Sequence, residues 1–183
     1  MGESIRFYGF PLGGIDGMSA CTDRVFPRHT HDQFGIGVIE AGGHTSWSDR
    51  GQVEAGPGSL ICLNPGEVTD GSGVGGKGRS WRMLYLDPEV METASAEVRD
   101  GERGSFTFEA PVFADPEVRR RLGTIFGHAA EAGCRDAMSC ETALLALVAR
   151  LQAHCTTRPP AAPPRAPACA GRSTGSTKTR RRS

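Results

Sequence analysis

The chain has no CxxC pair. Its six cysteines, Cys21, Cys62, Cys134, Cys140, Cys155 and Cys169, stand singly, which argues against a zinc ribbon or a compact disulfide framework and leaves reduced, mostly buried thiols. No uninterrupted apolar run approaches the ~20 residues that cross a bilayer, so no membrane association is expected. The start, Met1 to Arg6, lacks the basic stretch and apolar block of a secretory signal, so a cytoplasmic protein is expected. A GxSxG elbow is missing, and no cysteine has a motif-supported histidine partner. The glycine-rich run Gly71 to Gly78 contains no GxxxxGK[ST] and opens no helix, so it reads as a flexible hairpin loop, not a phosphate cradle.

Net charge is also absent, with 21 basic residues against 21 acidic. That balance conceals a division: seven basic and no acidic residues follow from Thr156 onward, leaving 14 basic against 21 acidic before it. An acidic folded body with a basic extension is the usual meaning of such a split. From about 155 to 183 the text is rich in Pro, Ala, Gly and Arg and has no periodicity, so a disordered tail is expected.

What is present begins with strands. Met18 to Phe26, His31 to Ile39, His44 to Ser48, Gln52 to Ala55, Ser59 to Leu63 and Ser80 to Leu86 are short apolar or alternating segments separated by glycine, proline and asparagine turns, the spacing of a sandwich or barrel. After Asp87-Pro88 the period changes. Asp115-Pro116-Glu117 carries a capping residue, a first-turn proline and an acid at the positive end of a helix, predicting a helix to about Ala132. A second helix, from Asp136 to His154, places Leu144, Leu147, Val148 and Leu151 on one stripe with Leu145 beside it, so the two form an antiparallel hairpin. The pair either closes an open barrel edge or also makes a homodimer through that stripe, since apolar width alone does not separate the two.

Side chains alternate along a strand, so His29 and His31 share a face, and Gln33, Gly35 and Gly37 continue it. The two glycines would leave space beside the histidines. His44 and His128 stand alone and read as structural or solvated.

The HxH pair in His29-Thr30-His31, followed by Gly58-Ser59-Leu60-Ile61-Cys62-Leu63-Asn64-Pro65-Gly66, resembles a cupin. With Val38-Ile39-Glu40-Ala41-Gly42, Trp81 to Pro88 and the helical hairpin in this order, residues 5 to 154 resemble the N-terminal effector-binding and dimerisation domain of an AraC-family transcriptional regulator. The resemblance implies a mainly β chain with C-terminal α structure: a cupin-like, jelly-roll barrel over 5–114, a hairpin over 115–154 that dimerises, and the tail over 155–183. It implies a small-molecule effector bound without a cofactor, with His29, His31, Gln33, Trp81, Met83 and Tyr85 lining its site; Trp81 and Met83 also fit as plain core residues. Family members carry a C-terminal pair of helix-turn-helix motifs; here the tail stands in their place, so no specific DNA binding by this chain alone is expected.

The alternative is a metal-dependent cupin enzyme, an isomerase or dioxygenase. Such a site needs three or four ligands, and His29 and His31 supply two. The usual third histidine position holds Thr69 and the usual glutamate falls at Gly35 or Ile36, so neither a metal nor catalysis is expected.

Overall fold

Turns rich in glycine and proline divide the first half of the chain into nine strands: β1 Ser4–Gly9, β2 Ile15–Thr22, β3 Phe26–Thr30, β4 Phe34–Ala41, β5 His44–Ser48, β6 Gly51–Ala55, β7 Leu60–Leu63, β8 Val68–Gly73 and β9 Arg79–Leu86. Helices α1 Pro88–Val98, α2 Pro116–Phe126 and α3 Ala137–Leu151 follow, with strands β10 Ser105–Phe108 and β11 Val112–Phe113 between the first two and β12 Cys155–Arg158 after the last. This computed structural model describes residues 3–48, 51–102, 104–129 and 136–158.

Two antiparallel sheets, ordered β1-β2-β9-β4-β7-β11 and β3-β8-β5-β6, face each other as a jelly-roll barrel, as the cupin resemblance implies. The central strands of the six-stranded sheet are covered on both faces. On one side Ile36, Val38, Leu60, Leu84 and Leu86 pack with Met91 of α1, Val118, Leu122 and Ile125 of α2, and the α3 stripe. On the other, Ala20, Ile39, Trp81 and Met83 face the barrel interior. Double coverage explains why β4 is buried from Phe34 to Ile39 without alternation. Each such large aliphatic side chain contributes about 1.5–3 kcal/mol by leaving water.

Asp115 caps α2 by accepting from the backbone N–H of Glu117 at 2.9 Å and Val118 at 3.2 Å. Its other oxygen receives Arg150 Nε and His154 Nε2, each at 2.8 Å, so the start of α2 lies against the end of α3 and the two run antiparallel. Burial alone would raise this carboxyl's pKa, but hydrogen bonds from His154 and Arg150, then the two backbone amides, hold it well below the usual range. The connection at 130–135 lies outside the described residues.

Several expectations need correction. Leu144, Leu147, Val148 and Leu151 are buried within the single chain, at 4, 0, 0 and 0% exposure, because α1 packs on α3 beside α2 and covers the extra apolar width. They are core residues and unavailable to a dimer partner. The helix α1 was not expected, and neither were β1 or β8. Strand β8 runs into the glycine-rich segment and ends at Gly73, where glycine is required because a Cβ would overlap the Lys77 carbonyl oxygen. At the other end, β12 continues the fold through residues 155–158, where the tail is expected to begin, by pairing with β10. The rest of the expected tail, 159–183, lies outside the described residues.

Candidate functional site

Strand β9 sets the site by simple alternation. Leu84 and Leu86 point to the helix layer, and Arg82 on that side lies over the Phe126 ring and pairs with Glu40 at 2.6 Å. Arg79, Trp81, Met83 and Tyr85 point the other way, into a cavity of about 210 Å³ between the sheets. From the same sheet Met18, Ile61, Leu63 and Val112 complete an apolar wall, and the opposite sheet contributes Phe26, His29, His44, Ser46, Val53, Thr69, Asp70 and Gly71. An apolar enclosure with a few polar groups is the general form of a small-molecule site.

The histidine pair stands at the more open part of this lining. His29 is exposed and donates from Nδ1 to the Pro27 carbonyl at 2.7 Å, leaving Nε2 as its free ring nitrogen. His31 is half-buried, meets the His29 ring edge-on at 4.8 Å and stacks on Tyr85 at 5.3 Å. Burial, helped by the neighbouring His29, lowers its pKa. β3 ends at Thr30, so the two histidines converge through the turn after the strand, not through a continuous strand. Among the described residues no three His, Cys, Asp or Glu side chains cluster to hold a metal ion.

The deepest polar groups are Arg79 and His44. Arg79 is 1% exposed; its Nε donates to His44 Nδ1 at 2.9 Å and its Nη1 to the Arg24 carbonyl at 3.0 Å, while its guanidinium lies 4.8 Å from the Trp81 ring centre. Because Arg79 only donates, His44 Nδ1 is unprotonated and the imidazole proton sits on Nε2. Burial, then the charge of Arg79, lowers the His44 pKa to about 4, so the ring is neutral at physiological pH. Thr69 lies opposite His29 across β3 and β8, and its hydroxyl is 2.9 Å from that of Ser46.

His29, His31, Trp81, Met83 and Tyr85 are thus brought together as expected, and Gln33 is not. β4 begins only at Phe34, so the alternation does not carry across the turn; the Gln33 amide instead donates to Asp87 Oδ1 at 2.9 Å, away from the cavity. Gly35 and Gly37 do not open space for a ligand either, since Met83 fills it: a Cβ at Gly37 would lie 2.1 Å from Met83 Sδ. Sequence reasoning missed Arg79 by starting its strand one residue late, although Arg79 shares the parity of Trp81, and it set aside His44 for want of a partner.

The sequence matches the AraC-like ligand binding domain family over residues 12–148. A curated relative, an uncharacterised HTH-type transcriptional regulator, YbfI, of Bacillus subtilis (strain 168), is 30% identical over 73 residues, covering 40% of this chain and 26% of that protein's length. Among solved structures, a cupin superfamily protein from Desulfitobacterium hafniense is similar at a TM-score of 0.41 and 7% identity, over 46% of this chain and 78% of that one. An oxalate decarboxylase from Bacillus subtilis gives 0.41 and 13%, over 47% and 26%. No described helix is long and apolar enough to cross a membrane. With three-quarters of its length inside the family match, the chain belongs to the AraC-like ligand-binding domain family.

Proposed function

We propose that this chain is the effector-sensing part of a cytoplasmic transcriptional regulator, taking up a small organic molecule in the barrel cavity without transforming it. The observation that carries the reading is the half-open, mainly apolar cavity whose lining includes His29, His31, Trp81, Met83 and Tyr85, in a member of a ligand-binding family. The described residues do the sensing; sequence-specific DNA recognition is not assigned to them. A homodimer belongs to the same reading, through a surface other than the buried Leu144 to Leu151 stripe.

The test is a thermal-shift panel of monosaccharides, amino acids, nucleosides, small carboxylates and their amides. A ligand should raise the melting temperature saturably, because anything bound only by the folded state stabilises it. Val53→Trp, which puts a large ring into the lining from a half-buried position, should abolish the shift while the protein stays folded. No saturable ligand, or one indifferent to Val53→Trp, overturns the proposal. Stoichiometric metal in untagged protein purified without added metal, lost in His29→Ala, would replace it with a metal-dependent enzyme.

A further inference from the structure

Arg79 is the least expected residue in the cavity. A guanidinium keeps its charge even where burial lowers its pKa, and burying that charge is costly unless it is paired. Among the described residues no carboxylate comes within ion-pair distance of it; Asp70, the acid in the cavity lining, has Oδ1 bound to the Trp47 backbone N–H at 2.7 Å. Two of the three guanidinium nitrogens are used, by His44 and Arg24, and Nη2 is buried with no hydrogen-bond partner.

Arg79, His44 and Gly71 belong to the wall of the same cavity. Gly71 of β8 has no side chain, and a Cβ there would lie 3.0 Å from His44 Cε1, 3.5 Å from Arg79 Nη2 and 3.7 Å from His44 Nε2, so both groups close directly on the bare backbone. Both nitrogens are donors, Nε2 because its partner nitrogen is the acceptor for Arg79 Nε. A positive charge and a neutral N–H therefore stand side by side at this glycine, with Trp81 and Phe26 against the same guanidinium.

We propose that the effector is an organic carboxylate whose acid group sits over Gly71, receiving Arg79 Nη2 and His44 Nε2, while its apolar body lies against Trp81, Met83 and Ile61. This rests on the sensing role proposed above and narrows it to a ligand class. Two donors suit the two oxygens of a carboxylate, and the charge-assisted bond supplies what the buried guanidinium lacks. With Arg79 the one arginine or lysine among the described lining residues, a singly charged acid matches the site better than a doubly charged phosphate.

Matched pairs of acid and primary amide test the assignment by calorimetry on the full chain at pH 7.5: benzoate and benzamide, phenylacetate and phenylacetamide, hexanoate and hexanamide. The acids that bind should do so at least tenfold more tightly than their amides. Arg79→Met should weaken them tenfold or more and close the gap, while Arg82→Met, on the opposite face of β9, should leave it intact. Gly71→Ala puts a methyl group against His44 and Arg79 Nη2 without changing charge and should also remove the preference. If Arg79→Met does not fold, the wild-type pairs and Gly71→Ala decide the matter. Amides binding as well as acids, or a neutral ligand from the wider panel binding equally to wild type and Gly71→Ala, would overturn the carboxylate assignment and leave the sensing role standing. No saturable binding by any panel member would remove both.

Discussion

The Gln33 side chain donates to Asp87 Oδ1 at 2.9 Å, and Asp87, the residue before α1, makes no side-chain cap to that helix. Asp87-Pro88-Glu89 and Asp115-Pro116-Glu117 are the same local text, and each precedes a helix with proline in its first turn. Only Asp115 caps with its side chain. Gln33 thereby ties the β3–β4 turn to the β9–α1 junction, with Asp16 of β2 also in reach at 3.4 Å. Gln33→Ala should lower unfolding stability by about 1 kcal/mol, the usual size of such a bond, and leave ligand affinity unchanged within twofold. A tenfold affinity loss in titration calorimetry would put Gln33 back in the site.

Leu147 is fully buried between the helices and the sheet. Leu147→Ala should cost about 2–5 kcal/mol in urea unfolding, as large-to-small core substitutions do, with no change in the oligomeric state of the folded fraction. Sedimentation showing dissociation at unaltered stability would return this leucine to an interface.

Asp115→Ala removes a helix cap and leaves Arg150 and His154 without their shared acceptor. A loss of about 3 kcal/mol is expected, because a cap and hydrogen bonds to a charged carboxylate disappear together. The carboxyl is held low in the fold, so its contribution is complete above about pH 4 and fades as acid protonates it. A loss below 1 kcal/mol at pH 7 would show the cluster to be dispensable.

His44 acts in the opposite sense. An unfolded chain protonates this ring near 6.5, the fold only near about 4, so between those values the unfolded state holds the extra proton. Stability should therefore fall as pH drops from about 7 to about 4, with His44 accounting for on the order of 3 kcal/mol over the full span. His44→Gln keeps an acceptor for Arg79 Nε but does not titrate. Urea midpoints measured at several pH values should fall less steeply in the variant, and parallel slopes would refute the role.

Local patterns carried the fold wherever one element decided its own fate. Trp81, Met83 and Tyr85 share a face because an eight-residue strand obeys its period, and α2 starts where a capping residue and a proline coincide. Patterns failed where a distant partner decided. Nothing in Cys155 to Arg158 announces a strand until β10 lies beside it. The width of the α3 apolar face suggested a second copy of the chain, whereas α1 supplies the cover. Arg79 escaped notice because an arginine at the edge of a strand normally faces water. Only the second sheet, closing over it with His44 and Gly71, turns it into an interior group.

Gly35 lies beneath the cavity floor, where a methyl group would come within 3.0 Å of Met83 Cε and 3.1 Å of Leu63 Cδ1. Both are free ends of flexible side chains that line the cavity, so they would yield upward and shrink it. Gly37 offers no such latitude, since a Cβ there meets the rigid Arg82 carbonyl at 2.3 Å. The size of the cavity is therefore adjustable from a residue outside its own lining.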